Sequence, residues 1–271
     1  MEDRAAPYFR DLQGRICAAF ESFETGGARF EQRSWSKPEG HRLQGGGESR
    51  LMRGQVFEKV GVNFSHVWGE FSPQARGQVP GSEESEGRFV ACGISLVAHM
   101  TNPYVPAVHM NLRYLRTSRG WFGGGSDLTP TFPFAEDTAM FHDALRGACD
   151  SYRPDAYAEY KAWCDRYFYL PHRQEPRGVG GIFFDELASA EREADFAFVK
   201  AVGEAFLGVY PRIVALRKGT PFDDEAREKL LVKRGRYVEF NLVYDRGTKF
   251  GFSTDADPEA YLMSLPPLVK W

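Results

Sequence analysis

Polar and apolar residues that alternate at every second position constrain this chain more than any other feature of its sequence. In HMNLRYL (109–115), His109, Asn111 and Arg113 share one face of an extended strand, because successive side chains point to opposite sides. GISLVAHM (93–100) and RYVEFNLVY (236–244) alternate in the same way. The pattern predicts strands with one apolar and one polar face, as in an antiparallel sheet.

The order of the predicted elements selects the fold class. Residue periodicity predicts helices over 4–24, 137–149, 154–170 and 188–218, and strands over 56–114, 178–187 and 234–252. Because strands and helices do not alternate regularly, we expect an α+β fold: a large, mostly antiparallel β-sheet flanked by α-helices on both faces. We expect a single domain over 1–271, with a flexible glycine-rich loop over 31–50 around Gly45, Gly46 and Gly47.

Composition and charge exclude several classes of protein. A formal charge of −3 argues against broad nucleic-acid binding, and no stretch reaches the ~18 apolar residues of a membrane span. The four cysteines form no CxxC pair, which favours a reduced intracellular protein without a disulfide framework or thiolate zinc site. Because the N-terminal sequence is acidic and has no hydrophobic leader, we expect a cytoplasmic protein.

The polar strand faces carry unusual residues for a solvated surface. Ser95 and His99 share one face of their predicted strand, and His109, Asn111 and Arg113 share a face of the next. Solvated faces usually carry Lys, Glu, Thr and Gln, although such a face remains the alternative. Serine, histidine, asparagine and arginine on rigid strands favour the floor of a polar binding pocket.

A glycine-rich segment follows, WFGGGSDLTP (121–130), which places Asp127 behind three glycines. Glycine permits close backbone approach and positive φ, but the segment lacks the lysine of a phosphate-binding loop. We interpret the segment as a loop that fixes the Asp127 carboxylate at the edge of the pocket. A tight turn capped by Asp127 is the alternative.

Arginines cluster in HRQEPRGVGG (172–181) and KRGR (233–236). Guanidinium groups bind carboxylates in a bidentate geometry, so several arginines near one pocket favour a polycarboxylate ligand. For each arginine a surface ion pair is the alternative. The histidines show no compact metal-binding spacing such as HExxH, so a structural role is the alternative for each of them.

Seven sequence blocks, taken in order, resemble the signature blocks of the oxygen-dependent coproporphyrinogen III oxidases. The resemblance covers about 50–271. The blocks are VFEKVGVNFSHVWGE, NPYVP, HMNLRYL, WFGGGSDLTP, KAWCDRYFYLPHRQEPRGVGGIFFDEL, RGRYVEFNLVYDRGTKFGF and LMSLPPLVKW.

The resemblance implies an enzyme of haem biosynthesis. Such an enzyme oxidatively decarboxylates two propionates of coproporphyrinogen III to vinyl groups, giving protoporphyrinogen IX while O2 is consumed and CO2 and H2O2 are released. It also implies a homodimer, with dimer and substrate contacts within 236–265. The family's substrate-contact positions correspond to Ser95, Asn111, Leu112 and Arg113, and His109 to its proton donor. The histidines proposed as metal ligands in the family correspond to His99, His109, His142 and His172.

The chemistry of this substrate refines the expected site. An electron-rich pyrrole can itself give an electron to O2, so we expect no required cofactor, with a divalent metal as the alternative. We expect Asp127 to accept pyrrole N–H bonds, Arg113 and Arg177 to fix propionates, and His109 to act as a general acid. Apolar walls for the macrocycle are expected from Trp121, Phe122 and Phe183.

Two other classes of protein remain open at this point, and one sequence departure bears on the site. A porphyrin carrier needs the same pocket without a catalytic acid, and a metal-dependent oxygenase needs histidines that converge on one ion. Where the family has a glycine pair and an arginine, this chain reads Asp255-Ala256-Asp257. An acid there would repel a propionate.

Overall fold

The structure, a computed structural model, describes residues 1–73, 76–253 and 257–271. Its helices are α1 Glu2–Glu21, α2 Ala135–Asp150, α3 Ala156–Tyr167, α4 Arg192–Arg217, α5 Asp224–Val243, α6 Arg246–Ser253 and α7 Pro258–Tyr261. Its strands are β1 Glu31–Ser36, β2 Leu43–Met52, β3 Phe57–Glu70, β4 Arg88–Met100, β5 Ala107–Arg116, β6 Gly120–Thr129, β7 Tyr169–Leu170, β8 Glu175–Pro176 and β9 Gly180–Leu187.

Seven strands form one antiparallel sheet in the order β1-β2-β3-β4-β5-β6-β9. The first six follow one another along the chain as a meander, and β9 joins the far edge after α2 and α3. The predicted α+β fold class and single domain are confirmed. None of the helices in the described ranges is long and apolar enough to cross a membrane.

One face of the sheet forms the hydrophobic core. Alternate residues of the central strands, such as Val62, Leu96 and Met110, are fully buried there against α1 and α4. Helix α1 presents a stripe at three- and four-residue spacing, which is the period of one helix face. Its fully buried members are Phe9, Leu12, Ile16 and Phe20.

The opposite face of the sheet is covered at one end by the C-terminal part of the chain. Lys59 donates to the carbonyl of Leu265 at 2.7 Å, and Asn63 donates to the carbonyl of Ala260 at 2.7 Å. Met263, in a 3-10 turn over Leu262–Ser264, lies directly over the backbone of β3. Helices therefore lie on both faces, while the middle of this second face stays partly exposed.

The predicted flexible loop over 31–50 is wrong, because 31–36 and 43–52 are the paired strands β1 and β2. The glycines there serve close strand packing rather than flexibility. A Cβ on Gly47 would lie 2.6 Å from the ring of Trp35 and 2.3 Å from the carbonyl oxygen of Phe64. Glycine in a strand interior often marks such a close approach.

The predicted strands over 234–252 are also wrong, because these residues lie in α5, in α6 and in the two-residue link between them. Asp223 begins α5 as a side-chain cap, accepting from the amide of Ala226 at 2.8 Å. The buried residues of α5 recur at helical spacing, which the two-residue alternation of RYVEFNLVY concealed. They include Leu230, Arg234, Tyr237, Phe240 and Asn241.

Candidate active site

The partly exposed middle of the second sheet face is a polar floor formed by β4 and β5, with the buried strand β6 beside it. The strand register places Ser95 opposite Asn111, and both side chains are partly exposed. Arg113 has glycine on both neighbouring strands, and Asn111 has glycine on one. These residues are Gly93, Gly123 and Gly125. Because glycine has no side chain, Gly93 keeps the floor low beside Arg113 on the β4 side, whereas on the β6 side the Arg113 guanidinium itself lies over Gly123.

Asp127 lies inside strand β6. The predicted glycine-rich loop over 121–130 is therefore wrong. Gly125 shows why glycine is needed here: its φ is +157°, and a Cβ would lie 2.2 Å from the carbonyl oxygen of Ile182 on β9. In register, Asp127 stands opposite His109, whose Nδ1 lies 2.8 Å from Asp127 Oδ1. Only 1% of the Asp127 side chain is exposed.

Arg177 is the buried counter-ion of Asp127. Its Nη2 donates to both carboxylate oxygens at 2.7 and 2.6 Å, and only 2% of its side chain is exposed. The guanidinium also lies 4.0 Å from the ring centre of Phe168 and 4.7 Å from those of Tyr237 and Phe240. Arg177 is therefore enclosed by rings and committed to Asp127, instead of offering a free guanidinium to a propionate.

The ion pair also fixes the charge of Asp127. Burial by itself raises the pKa of this carboxyl, but the charge of Arg177 and the hydrogen bond from His109 outweigh it and hold the pKa below its usual range. Asp127 is thus ionised at neutral pH and can only accept hydrogen bonds.

A hydrogen-bonded chain leads from this buried pair to the exposed floor. Because Asp127 only accepts, the proton of a neutral His109 lies on Nδ1, and its Nε2 accepts from Asn111 Nδ2 at 3.1 Å. Arg113 Nη1 donates to Asn111 Oδ1 at 3.1 Å. The structure brings together Arg177, Asp127, His109, Asn111 and Arg113 as one chain, with His109 Nε2 at its centre.

The histidines expected as a metal set lie apart. Within residues 1–73, 76–253 and 257–271, no three His, Cys, Asp or Glu side chains are grouped as metal ligands. Burial lowers the pKa of His99 to about 3, so its ring is neutral. The partners are Asp127 for His109, the carbonyl of Ser264 for His99, the carbonyl of Val179 for His142, and Glu239 for His172. These four side chains do not fit a shared metal site.

Other residues expected at the site lie elsewhere. Leu112 and Phe122 are fully buried in the core on the apolar face, so their side chains cannot line the floor. Trp121 is buried as well, and Phe183 packs with Phe168 in a second cluster beside Arg177.

Two carboxylates, those of Asp185 and Asp257, have partners that the sequence did not indicate. Sequence reasoning missed Asp185, whose Oδ1 lies 2.9 Å from Arg113 Nη2, although alternation along GIFFDEL places it on the floor side. Asp255 and Ala256 lie outside the described residues. Asp257 accepts from the amide of Glu259 and pairs with Arg33 at 3.0 Å.

Comparison with known proteins assigns the family. The family described as coproporphyrinogen III oxidase matches residues 4–271. The chain is similar to the oxygen-dependent coproporphyrinogen-III oxidase of Rickettsia bellii, 53% identical over 272 residues, covering 97% of this chain and 96% of that protein. The protein of the same name from Rickettsia felis is 54% identical over 275 residues, covering 98% and 97%. Relatives this similar over their full length, together with the family match, show that the chain belongs to the coproporphyrinogen III oxidase family.

Proposed function

We propose that this chain is an oxygen-dependent coproporphyrinogen III oxidase of haem biosynthesis. The observation that carries the proposal is the chain from the buried Asp127–Arg177 pair through His109 to Arg113, set on a floor lined by glycine. Each of two steps converts a propionic acid side chain and O2 into a vinyl group, CO2 and H2O2. O2 takes two electrons in each step, so no further oxidant is needed.

The floor suits a broad tetracarboxylate. On the β4 side Gly93 adds no side chain beside Arg113, so a macrocycle can approach β4 and β5 there. The Arg113 side chain is 35% exposed and uses only part of its donors within the protein, so it can bind a propionate. Ser95 and Asn111 add hydrogen-bonding groups on the same surface.

His109 is the proposed general acid and base. Proton transfer takes place at Nε2, because Nδ1 is held by Asp127. Asp127 acts through His109: its carboxylate fixes the ring and stabilises the imidazolium. A direct pyrrole contact with Asp127, as expected from the sequence, does not suit a carboxylate enclosed by His109 and Arg177.

We further propose that the enzyme works without a metal or other cofactor, as a cytoplasmic homodimer. Turnover without a metal is supported by the four histidines, each of which has a separate partner. The free, buried cysteines support a reducing compartment. An apolar surface within 236–265 supports a subunit contact; its most exposed members are Leu242, Val243 and Phe252. Sedimentation of the purified chain checks the dimer, and a monomer at micromolar concentration would contradict it.

The activity is tested with coproporphyrinogen III in air and under anaerobic conditions, each with and without a strong chelator. We expect two O2 consumed and two CO2 released for each protoporphyrinogen IX, and no product without O2. Binding without turnover in air would indicate a porphyrin carrier. Loss of activity on chelation, with restoration by one metal, would indicate a metal-dependent oxygenase.

A further inference from the structure

An irregularity in the sheet lies beside the polar floor. Phe122 pairs with Leu187 and Gly124 pairs with Phe184, so the single residue Gly123 on β6 stands opposite two residues of β9. One of these two, Glu186, has a φ of +49°. This is a β-bulge, a feature that often redirects a side chain next to an active site.

The bulge fixes the carboxylate of Asp185. The amide of Glu186 donates to Asp185 Oδ1 at 3.0 Å instead of to a carbonyl of β6. A Cβ on Gly123 would lie 2.6 Å from Asp185 Oδ1 and 2.7 Å from Arg113 Nη2. Glycine at 123 therefore leaves the space in which the Asp185–Arg113 ion pair crosses strand β6.

Asp185 faces two arginines from different parts of the fold. Its Oδ1 lies 2.9 Å from Nη2 of Arg113 on the floor, and its Oδ2 lies 3.8 Å from Nη2 of Arg246 in α6. The Arg246 guanidinium also lies 5.2 Å from the ring centre of Tyr167. The Asp185 side chain is 19% exposed, whereas Arg246 is 60% exposed.

We propose that Asp185 is a positioning residue that holds Arg113 and Arg246 as a spaced pair of guanidinium groups for the propionates of the substrate. The inference rests on the proposed function. The Asp185 carboxylate, fixed by a backbone amide, forms a close ion pair with Arg113 and attracts Arg246 through its charge at 3.8 Å, which limits the repulsion between the two guanidiniums. Two positive charges with one negative charge leave an excess positive charge at this end of the floor. That excess favours an anionic ligand group.

The test separates substrate binding from turnover. In Asp185→Ala both guanidiniums lose their anchor, and we expect KM for coproporphyrinogen III to rise about tenfold, equivalent to about 1.4 kcal/mol. kcat should change less than about threefold, because His109 and Asp127 are untouched. Asp185→Asn should recover only a small part of the loss, because its Oδ1 still accepts from the amide of Glu186 but its neutral side chain no longer balances the two guanidinium charges.

Glu186→Gln is the matched control, because it changes the neighbouring carboxylate of the same bulge. The Glu186 carboxylate pairs with Arg119 at 3.1 Å and not with Arg113. KM should stay at the wild-type value. In an Arg113→Ala background, adding Asp185→Ala should raise KM by far less than it does alone. An unchanged KM in Asp185→Ala would overturn the inference, and so would effects on KM that simply add in the double variant with Arg113→Ala. Turnover by the wild type would leave the proposed function intact in either case. A wild-type chain inactive in air overturns the proposed function instead.

Discussion

Replacing Asp127 by asparagine keeps the size of the side chain but removes the negative charge at the buried end of the hydrogen-bonded chain. Arg177 is 2% exposed and would remain charged without a counter-ion. Breaking a buried ion pair by removing one partner costs about 3–5 kcal/mol, because the remaining charge is no longer compensated. At roughly 2–4 °C per kcal/mol for a chain of this size, we expect the melting temperature to fall on the order of 10 °C.

The dependence on pH gives a second signature of the same charge. Because the pKa of Asp127 is lowered in the folded protein, its stabilising contribution is complete above the ordinary carboxyl pKa of about 4. The contribution is lost as the pH falls through the lower folded value. The difference in unfolding free energy between the wild type and Asp127→Asn should therefore be constant near neutrality and shrink below about pH 4.

Chemical denaturation and turnover are measured together, at a temperature where both proteins are folded. We expect kcat of Asp127→Asn to fall by about 100-fold, because His109 loses the anion that fixes and stabilises it. Asp165→Asn is the control, since Asp165 is 50% exposed and pairs with Lys161 on the surface of α3. Such exposed pairs contribute about 0–1 kcal/mol.

A double variant isolates the uncompensated charge. Asp127→Asn combined with Arg177→Met should unfold at a higher denaturant concentration than Asp127→Asn alone, because no unpaired ion remains buried. A double variant less stable than the single one, or a single variant with the wild-type melting temperature, would refute the reasoning from the ion pair.

Three further outcomes are expected. Gly125→Ala should lower the melting temperature by about 5 °C, since its Cβ would lie 2.2 Å from the carbonyl oxygen of Ile182; an unchanged melting curve would contradict the close packing of β6 and β9. Extended dialysis against chelator should leave kcat unchanged, and a metal-restorable loss would contradict cofactor-free turnover. Hydrogen bonds from Arg173 and His172 lower the pKa of Glu239 to about 2, so Glu239→Gln should be less stable than wild type near neutrality and at pH 4. The two should converge only as the pH approaches 2, and convergence already at pH 4 would contradict this pKa.

The central strands were predictable because their local pattern and their tertiary environment agree. Strands β3 to β5 carry long alternation, and each has one face buried against α1 or α4. A shift of one residue in strand register would turn the apolar side chains of a strand toward solvent, so the register is well determined. The two-residue spacing of His109, Asn111 and Arg113 was therefore enough to place them on one face. The polar floor therefore followed from the sequence.

The segment 236–244 was not predictable by the same reasoning. RYVEFNLVY satisfies both a two-residue and a helical period, because Tyr237, Phe240 and Asn241 also share a helix face. The choice is settled by contacts with distant residues. Tyr237 and Phe240 pack their rings against Arg177, and Asn241 donates to Ser264 Oγ at 3.0 Å. Local alternation contains no information about these partners.

The roles of the site residues depended on pairings that the sequence does not reveal. Asp127 and Arg177 are 50 positions apart, and each alone suggested a group that binds substrate directly. Once paired and buried, they instead fix the orientation of the His109 ring. Asp185 was overlooked for the opposite reason, because two adjacent acids near the end of an otherwise apolar strand, GIFFDEL, carry no motif.

One face of the sheet packs the hydrophobic core, and the other carries the proposed binding floor. The Asp127–Arg177 pair has to serve both stability and the proposed site. Large side chains such as Leu112 fill the apolar face, where truncation to alanine costs about 2–5 kcal/mol. The floor carries small and polar residues with partial exposure, so it contributes little to the core and can accept a ligand. The proposed proton transfer requires the ring of His109 to be held at a fixed orientation beside this surface. An ionised carboxylate can hold it only if its own charge is compensated, and Arg177 supplies that compensation below the floor, enclosed by aromatic rings.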